Sequence, residues 1–486
     1  MKYKTTIGLE VHAELKTKSK MFCNCENNAL KQEANTNICP VCMAHPGTLP
    51  VINKEAVRKV IKTGLALDCK IALESKFDRK NYFYPDLPKG YQISQYDMPL
   101  CQKGFLEING KKIKIERIHL EEDTARLIHQ EDCSLLDFNR AGIPLMELVT
   151  EPDLTSGEEA QNFAQELQLI FRYLGVSDAD MERGQMRVEA NISISATEKL
   201  GTKVEVKNLN SFKVVKRAIE YEVERQSEVL ENGDEIIQET RGWDEKKQIT
   251  VSQRIKEEAH DYRYFPEPDL PSLNFSNKYI QDIKTDIPEL PQHRRARLKY
   301  EYGLKDADID IFVHNKDLGE YFEQVASELR EWCQSKENKG VGEKEYRSLA
   351  QVASNYILSE LLGLLGKMSV EDKKFLVTPE NFAEFISLFY QKEMTSKISK
   401  IVLKEMFETG ADPSDIIKEK GLAKIEDEGE LEKIVKEVIA KNLKAVKDLK
   451  EGKGNALQFL IGQAMAQSKG KASPKVLEEL FTKALK

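Results

Sequence analysis

The chain has 486 residues, a length that exceeds what one hydrophobic core usually serves, so we expect two to four domains. Hydrophobic residues make up 40% and charged residues 32% of the chain, as in an ordinary folded protein, and no apolar run is long enough to span a membrane. The net charge of −8 neither requires nor excludes a nucleic-acid partner, because local patches determine the affinity for phosphate backbones. The first residues lead into a strand pattern without a signal-peptide core, and we expect a cytoplasmic protein.

The first predicted element is a strand over residues 6–14, where apolar and polar side chains alternate. This alternation places Glu10, His12 and Glu14 on one face. Two carboxylates beside an imidazole repel one another or compete for protons unless a cation lies between them. A solvated edge strand carries the same pattern, so this stretch alone leaves a metal site and an exposed strand both open.

A cluster of cysteines follows in the segment 23–42. Four of the eight cysteines are crowded there, and in a cytosolic protein such a cluster is more typical of a metal site than of disulfides. Four thiolates suit a tetrahedral structural Zn²⁺, although a pair with only one intervening residue is unusual and four reduced thiols are the alternative. The predicted zinc ligands are Cys23, Cys25, Cys39 and Cys42.

The segment 77–95 mixes cations, aromatic residues and amides without helical or strand periodicity. Arg79 and Lys80 are candidates for holding phosphate oxygens, and the aromatic residues could stack on a base. A structural loop packed by its own aromatic residues is the alternative. The segment 261–269 has a similar composition. Because the chain has no Walker A loop and no Gly-x-Gly-x-x-Gly motif, a nucleotide would have to be held by metal ions and basic side chains.

Two further acidic clusters lie at 119–123, after a predicted strand over 112–121, and at 147–153. Each cluster alone is more typical of a solvated turn. Three strand-borne acidic clusters in one domain, however, indicate a site for Mg²⁺ or Mn²⁺, because hard cations take oxygen ligands and tolerate one imidazole.

The remaining elements of the N-terminal part are two more strands and a helix. An amphipathic helix is predicted over 156–174, and strands over 186–194 and 203–207. The first of these strands carries Glu189 and Asn191 on one face. The order of elements favours an α+β domain with a largely antiparallel sheet.

Strand patterns end near residue 292 and helical periodicity replaces them, with a further change of composition between 406 and 413. The last part contains lysines at every third position, a spacing that gives a helix a drifting positive stripe. A solvated surface is the alternative explanation of this stripe. The predicted nucleic-acid contacts are Lys441, Lys444, Lys447, Lys450, Lys453 and Lys471.

Several long motifs together resemble one family, the B subunits of the aspartyl/glutamyl-tRNA amidotransferases (the GatB family). The resemblance covers essentially the whole chain. Its tail resembles the module that this family shares with small YqeY-type proteins. The motifs that carry it are residues 7–12, 78–86, 119–123, 207–212, 261–270, 452–456 and 459–463.

The resemblance implies a fold of three domains. A glutamine-synthetase-like α+β cradle with a mainly antiparallel sheet would cover residues 1–292, an all-α helical domain 293–406, and an all-α YqeY-like tail that binds tRNA 407–486. The zinc loop would pin the connection after the first strand. Because some family members lack the four cysteines, zinc would not take part in the chemistry.

The resemblance also implies an activity. ATP and Mg²⁺ would be used to phosphorylate the side-chain carboxylate of Glu-tRNA(Gln) or Asp-tRNA(Asn), and ammonia from a separate amidase (A) subunit would displace the phosphate. A small C subunit would join the two larger ones. The sequence does not say which mischarged tRNA is the substrate. The alternative is a non-catalytic scaffold that binds tRNA.

The resemblance assigns roles to residues of this sequence. Catalytic roles are implied for Glu10, His12, Lys80, Glu122 and Glu151. The implied Mg²⁺ ligands are Glu10, His12, Glu121, Glu122, Glu147 and Glu151. Nucleotide contacts are implied for Arg79, Lys80, Glu189, Asn191, Lys207 and Asn208.

Overall fold

The computed structural model describes residues 3–29, 32–255, 262–335, 342–423, 427–450, 455–468 and 470–485. The chain divides into two compact units, Met1–Pro291 and Gln292–Lys486. Within the described ranges, no helix is long and apolar enough to cross a membrane. The three-domain division remains a prediction.

In the part that the structure describes, the first unit combines four helices with strands that form one large and three small sheets. Its helices are α1 (Lys54–Ala66), α2 (Gly157–Tyr173), α3 (Phe212–Glu231) and α4 (Asn277–Thr285). Its strands are β1 (Lys4–Glu14), β2 (Lys70–Ile71), β3 (Glu74–Ser75), β4 (Asp78–Asn81), β5 (Tyr91–Ser94), β6 (Cys101–Ile108), β7 (Lys111–Glu122), β8 (Arg126–His129), β9 (Ser134–Asp137), β10 (Pro144–Thr150), β11 (Met186–Ser195), β12 (Val204–Leu209), β13 (Glu239–Asp244), β14 (Ile249–Ile255), β15 (Phe265–Pro266) and β16 (Leu273–Asn274).

The large sheet has nine strands in the order β14-β13-β12-β11-β1-β10-β7-β6-β2. Neighbouring strands are antiparallel except β12 and β13, which are parallel. The predicted fold class, a mixed α/β unit with a mainly antiparallel sheet followed by an all-helical region, is confirmed. The small sheets are β15-β4-β5, β16-β3 and β8-β9.

The two faces of the large sheet differ in polarity. In the central strand β1, Ile7, Leu9, Val11 and Ala13 belong to the main hydrophobic core, on the face against which α1, α2 and α3 pack. The alternate side chains of β1 therefore point to the opposite face, where half-buried carboxylates and an imidazole gather. One face of the sheet supplies stability, and the other is left for polar chemistry.

Helix α2 shows how local sequence sets an element of this core. Ser156 caps it by accepting a hydrogen bond from the backbone N–H of Glu159 (3.1 Å), and the Glu159 carboxylate accepts one from the N–H of Thr155 (2.9 Å). Its apolar stripe, which includes Phe163 and Phe171, is fully buried. Caps at the first turn and burial of one face thus fix this helix against the sheet.

The second unit is helical throughout its described part. Its helices are α5 (Pro291–Tyr302), α6 (Asp306–His314), α7 (Lys316–Gln334), α8 (Glu343–Tyr356), α9 (Leu362–Leu365), α10 (Pro379–Tyr390), α11 (Ser396–Thr409), α12 (Pro413–Glu419), α13 (Glu428–Lys441), α14 (Leu443–Lys450), α15 (Asn455–Gln467) and α16 (Pro474–Leu485), with a π-helical turn at Ile357–Leu361. Helices α13, α15 and α16 share a core that contains Leu431, Leu460 and Phe481.

The lysine-rich segment is not one helix. Helix α13 ends at Lys441, and Asn442 leaves the helical conformation (φ −125°, ψ 46°) before α14 begins. The lysines therefore do not form a continuous stripe along a single helix, although Lys441, Lys444 and Lys447 are exposed. The side chain of Lys450 and the whole of Lys453 lie outside the described residues, and Lys471 is half-buried.

Candidate active site

The register of four neighbouring strands places four polar side chains in one row. Arg187 of β11 is opposite His12 of β1, His12 is opposite Glu147 of β10, and Glu147 is opposite His119 of β7. Directly opposite residues of paired strands point to the same face of a sheet. The row therefore crosses the polar face of the sheet, beside Glu121, which is two residues beyond His119 on β7.

Glu147 lies between two imidazoles. Its Oε2 is 3.3 Å from Nε2 of His12 and 3.5 Å from Nε2 of His119, and the same His119 nitrogen is 3.4 Å from Oε1 of Glu121. One ligand atom each from His12, Glu121 and Glu147 lies within 4.8 Å of the others. Two carboxylates and one imidazole converging in this way fit a Mg²⁺ or Mn²⁺ ion.

The charges of this cluster hold its carboxylates ionised. Burial by itself would raise the pKa of Glu147, but the charge of His119 and the hydrogen bond from His12 keep it well below its ordinary value. Burial likewise opposes ionisation of Glu121, yet the charge of Lys80 helps to lower its pKa to about 2. Burial would lower the pKa of His12, whereas its hydrogen bond to Glu147 and nearby carboxylates raise it to about 9.

A second acidic group lies next to the first. Ligand atoms of Glu10, Glu189 and Glu205 also lie within 4.8 Å of one another. Lys207 already neutralises part of this group, because its Nζ is 2.7 Å from Glu189 and 3.7 Å from Glu205. Asn191 donates a hydrogen bond to Glu10 (2.8 Å), and burial together with the charge of Glu147 raises the pKa of Glu10.

A cavity of about 930 Å³ opens over both groups. The large sheet forms one wall of the cavity. The small sheet β15-β4-β5 contributes Lys80, and the residues next to its strands contribute Tyr82, after β4, and Tyr264, before β15. The Nζ of Lys80 is 4.0 Å from Glu121, and the charges of that carboxylate and its neighbours raise the pKa of Lys80 although burial opposes this. Glu151 lines the same cavity. The cavity therefore combines anionic side chains with several cations, Lys80, Lys207 and Arg187 among them.

The family models match both units of the chain. Residues 5–281 match the GatB/GatE catalytic domain, and residues 343–485 match the GatB domain. The B subunit of the aspartyl/glutamyl-tRNA(Asn/Gln) amidotransferase of Caldicellulosiruptor saccharolyticus is 47% identical over 496 residues, which cover 100% of this chain and 99% of that protein. The B subunit of the Thermotoga maritima enzyme is 46% identical over 497 residues, with the same coverage.

The chain belongs to this family of amidotransferase B subunits. The resemblance predicted from the sequence motifs is thus confirmed. Every residue that lines the large cavity falls within the stretch that matches the GatB/GatE catalytic domain. This cavity is accordingly the candidate active site of the chain.

Four residues predicted for this site do not line the cavity: Glu122, Asn208, Arg79 and Asn191, the last of which is hydrogen-bonded to the cavity residue Glu10. Glu122 faces away from Glu121, because consecutive strand residues point to opposite faces; it pairs with Lys89 (2.6 Å) and accepts a hydrogen bond from the N–H of Ile93 (2.9 Å). The prediction that Glu122 and Glu121 bind the same metal ion is therefore corrected, because the two carboxylates lie on opposite faces of the strand. Asn208 is exposed and outside the cavity lining.

Arg79 is the third of these residues. Alternation along β4 turns it away from Lys80, and its guanidinium makes a bidentate pair with Glu267 (2.7 and 2.8 Å). It also lies over the ring of Tyr91, 4.3 Å from the ring centroid. Arg79 is not part of the cavity lining, so a direct contact of Arg79 with phosphate in the cavity is not supported by its position.

The sequence analysis included His119 and Asp123 in the acidic cluster 119–123 but gave no individual role to these two cavity residues, nor to Arg187 and Glu205. Arg187 is 2.5 Å from Asp123, which ties β11 to the end of β7. The signal for His119 was present, because it has the same parity as Glu121 along one strand. The signal for Arg187 was similar, since it has the same parity as Glu189 along β11.

The predicted zinc ligands also come together. One Sγ atom from each of Cys23, Cys25, Cys39 and Cys42 lies within 4.8 Å of the others, and the N–H of Cys39 is 3.2 Å from Sγ of Cys42. A hydrogen bond from Cys23 lowers the pKa of the Cys42 thiol to about 4, against the effect of burial. A compact set of four thiols fits a tetrahedral Zn²⁺.

Proposed function

We propose that this chain uses ATP and Mg²⁺ to activate the side-chain carboxylate of Glu-tRNA(Gln), Asp-tRNA(Asn) or both, and that it then forms the amide with ammonia. The observation that carries the proposal is the row His12–Glu147–His119 beside Glu121 in the large cavity. The names of the relatives supply the substrates, since they refer to tRNA(Asn/Gln) and to amidotransfer.

The chemistry explains why such a cavity is needed. A free carboxylate does not react with ammonia at neutral pH, because oxide would have to leave. Transfer of the γ-phosphoryl group of ATP to a carboxylate oxygen releases ADP and supplies phosphate as the leaving group. The ammonia nitrogen then attacks the carbonyl carbon, and inorganic phosphate departs. A bound divalent ion would neutralise the negative charge that develops as the phosphoryl group moves from ADP to the carboxylate.

The side chains of the cavity divide this work. Glu121 and Glu147 would hold the divalent ion together with His12, whose imidazolium proton would be displaced as the ion binds. Lys80 would contact phosphate oxygens from the opposite wall. Glu10, with Glu189 and Lys207, lies beside them and would orient the charged ends of the substrates. Arg79 would serve the site indirectly by holding β15 against β4.

The partners follow from the same proposal. The relatives are named as B subunits, and such a name refers to an assembly of more than one kind of chain. We propose an amidase (A) subunit that supplies the ammonia and a small C subunit that joins it to this chain, with the assembly working in the cytoplasm. The four cysteines would hold a structural Zn²⁺ outside the reaction.

A transamidation assay of the reconstituted assembly tests the proposal. Wild-type assembly should convert at least one of the two mischarged tRNAs to its amide form only when both ATP and Mg²⁺ are present. Glu147→Gln should lower this conversion by roughly 100-fold or more, because it removes a charge from the centre of the row. The exposed Glu158 on α2 offers a matched control, Glu158→Gln, which should leave conversion unchanged.

The same assay distinguishes the catalytic proposal from the alternative, a non-catalytic scaffold. A non-catalytic scaffold would tolerate Glu147→Gln as long as the assembly forms, which size-exclusion chromatography checks. Full conversion by an intact Glu147→Gln assembly would therefore reject the catalytic proposal. The buried cluster of carboxylates and imidazoles supports a catalytic role, since binding of tRNA alone does not require it.

A further inference from the structure

Lys20 is a buried cation next to the cysteine cluster. Its side chain is 0% exposed. Its Nζ donates a hydrogen bond to the carbonyl oxygen of Asn37 (2.9 Å), lies 3.5 Å from the carbonyl oxygen of Phe138, and lies 3.8 Å from Sγ of Cys42. No carboxylate of the described ranges forms an ion pair with this ammonium group. The nearest ionisable partner is therefore a thiol.

A buried ammonium group without an opposite charge is costly, because carbonyl dipoles replace only part of its hydration. A neutral thiol does not provide that opposite charge, whereas a thiolate does. Four thiolates around one divalent ion keep a net negative charge, and that charge is equally costly in a buried position. The positive charge of the ammonium group and the net negative charge of the metal site therefore compensate each other.

We infer that Lys20 is the built-in counter-charge of the four-cysteine metal site, and that its ammonium group strengthens the binding of Zn²⁺ by this chain. The inference rests on the zinc site proposed above. Lys20 lies outside the segment of the ligands and belongs to the connection after β1. It is a positioning residue for the metal site, because it acts on the ion through the Cys42 sulfur.

The neighbourhood of Lys20 also links the metal site to the strand that carries Glu147. Phe138, which accepts from Lys20, lies in the connection that leads into β10. In the same connection Asn139 accepts a hydrogen bond from the N–H of Asn37 (2.8 Å), and Gly142 accepts one from the N–H of Met21 (2.7 Å). A metal-loaded cysteine loop would consequently hold this connection in place.

The first test measures Zn²⁺ affinity of the full-length chain by competition with a chromophoric chelator. Lys20→Met keeps most of the length of the side chain and removes its charge, whereas Lys20→Gln removes the charge but keeps a hydrogen-bond donor. Both variants should bind Zn²⁺ roughly 10–100-fold more weakly, the range found when residues that support metal ligands are removed. Lys18→Met is the matched control, since Lys18 is exposed in the same connection and should leave the affinity unchanged.

The second test compares thermal unfolding of zinc-loaded and metal-stripped protein. If Lys20 acts as a counter-charge, each variant should lose more stability in the loaded form than in the stripped form. Equal losses in both forms, or failure of both variants to fold in either form, would mean that Lys20 is only a structural anchor and would overturn the inference. Unchanged Zn²⁺ affinity, or a wild-type chain that binds no Zn²⁺, would overturn it too.

These measurements need neither ATP nor tRNA. Failure of the transamidation proposal would therefore leave the zinc titration interpretable, and failure of the zinc inference would leave the transamidation assay unaffected.

Discussion

Glu147 receives His12 from one neighbouring strand and His119 from the other, so two imidazoles share a single carboxylate. Because the strands on both sides fix these rings, Glu147 cannot turn away without breaking both contacts. The charges around it keep its pKa well below the ordinary value despite burial. A carboxylate held ionised and immobile in this way suits a divalent ion better than a flexible surface residue does.

Glu121 and Glu122 offer a test of this site at the level of single residues. Glu121→Gln should weaken Mg²⁺ binding by roughly tenfold or more, because Glu121 lies among the clustered ligand atoms. Glu122→Gln should leave Mg²⁺ affinity unchanged, since its carboxylate pairs with Lys89 on the other side of the strand. Isothermal titration of the full chain with Mg²⁺ measures both. Equal loss of affinity in the two variants would contradict the assignment.

Strand β4 performs two tasks because successive side chains leave it in opposite directions. Lys80 points into the cavity, while Arg79 pairs with Glu267, whose side chain is fully buried. That pair joins β15 to β4 and so holds Tyr264, the residue before β15, near the cavity. One element thus directs a positive charge into the cavity and supports its own sheet.

Two variants of this strand should separate the two tasks. Arg79→Met should lower the free energy of unfolding by roughly 3–5 kcal/mol, because it leaves the buried Glu267 carboxylate without its partner. Lys80→Met should instead weaken ATP binding by roughly 10–100-fold, the loss expected for one charged hydrogen bond. Urea unfolding and ATP titration in the presence of Mg²⁺ measure these effects. A larger stability loss in Lys80→Met than in Arg79→Met would reverse the assignment.

At the scale of the whole molecule, a net charge of −8 disfavours unspecific attraction to nucleic acid. Attraction must then come from local patches such as the one formed by Lys441, Lys444 and Lys447, all exposed around the junction of α13 and α14. Two of them border an open groove that also contains Leu443 and Phe459. A tRNA-binding role of this tail remains a prediction.

A triple variant tests that role. Replacement of Lys441, Lys444 and Lys447 by Gln should weaken tRNA binding and reduce the salt dependence of the affinity by about one unit of slope per lost phosphate contact. Mg²⁺ affinity should not change, because the proposed Mg²⁺ ligands belong to the other unit. Filter binding at several salt concentrations measures the slope. The matched control replaces the exposed Lys54, Lys199 and Lys203, and an equal loss there would reject a specific tail contact.

The elements with strong local signals could be predicted from the sequence. The alternation in residues 6–14, the capped helix that begins after Ser156, and the change to helices near residue 292 all depend on neighbours in the chain. Long ungapped motifs also identified the family, which the match over the whole chain confirmed. Local periodicity did not locate the break at Asn442, where the lysine-rich segment divides into two short helices.

The sequence by itself determined which residue types stand on each strand and which of them share a face, because side-chain direction alternates with a fixed period of two. It could not determine that His12 is opposite Glu147 and Glu147 opposite His119, since these pairs depend on the register between strands that are separate in the chain. Tertiary structure alone decided that Arg79 supports a sheet and that Lys20 lies buried beside Cys42. The physical reason is that contacts between distant segments set burial and charge pairing, and local propensity does not contain them.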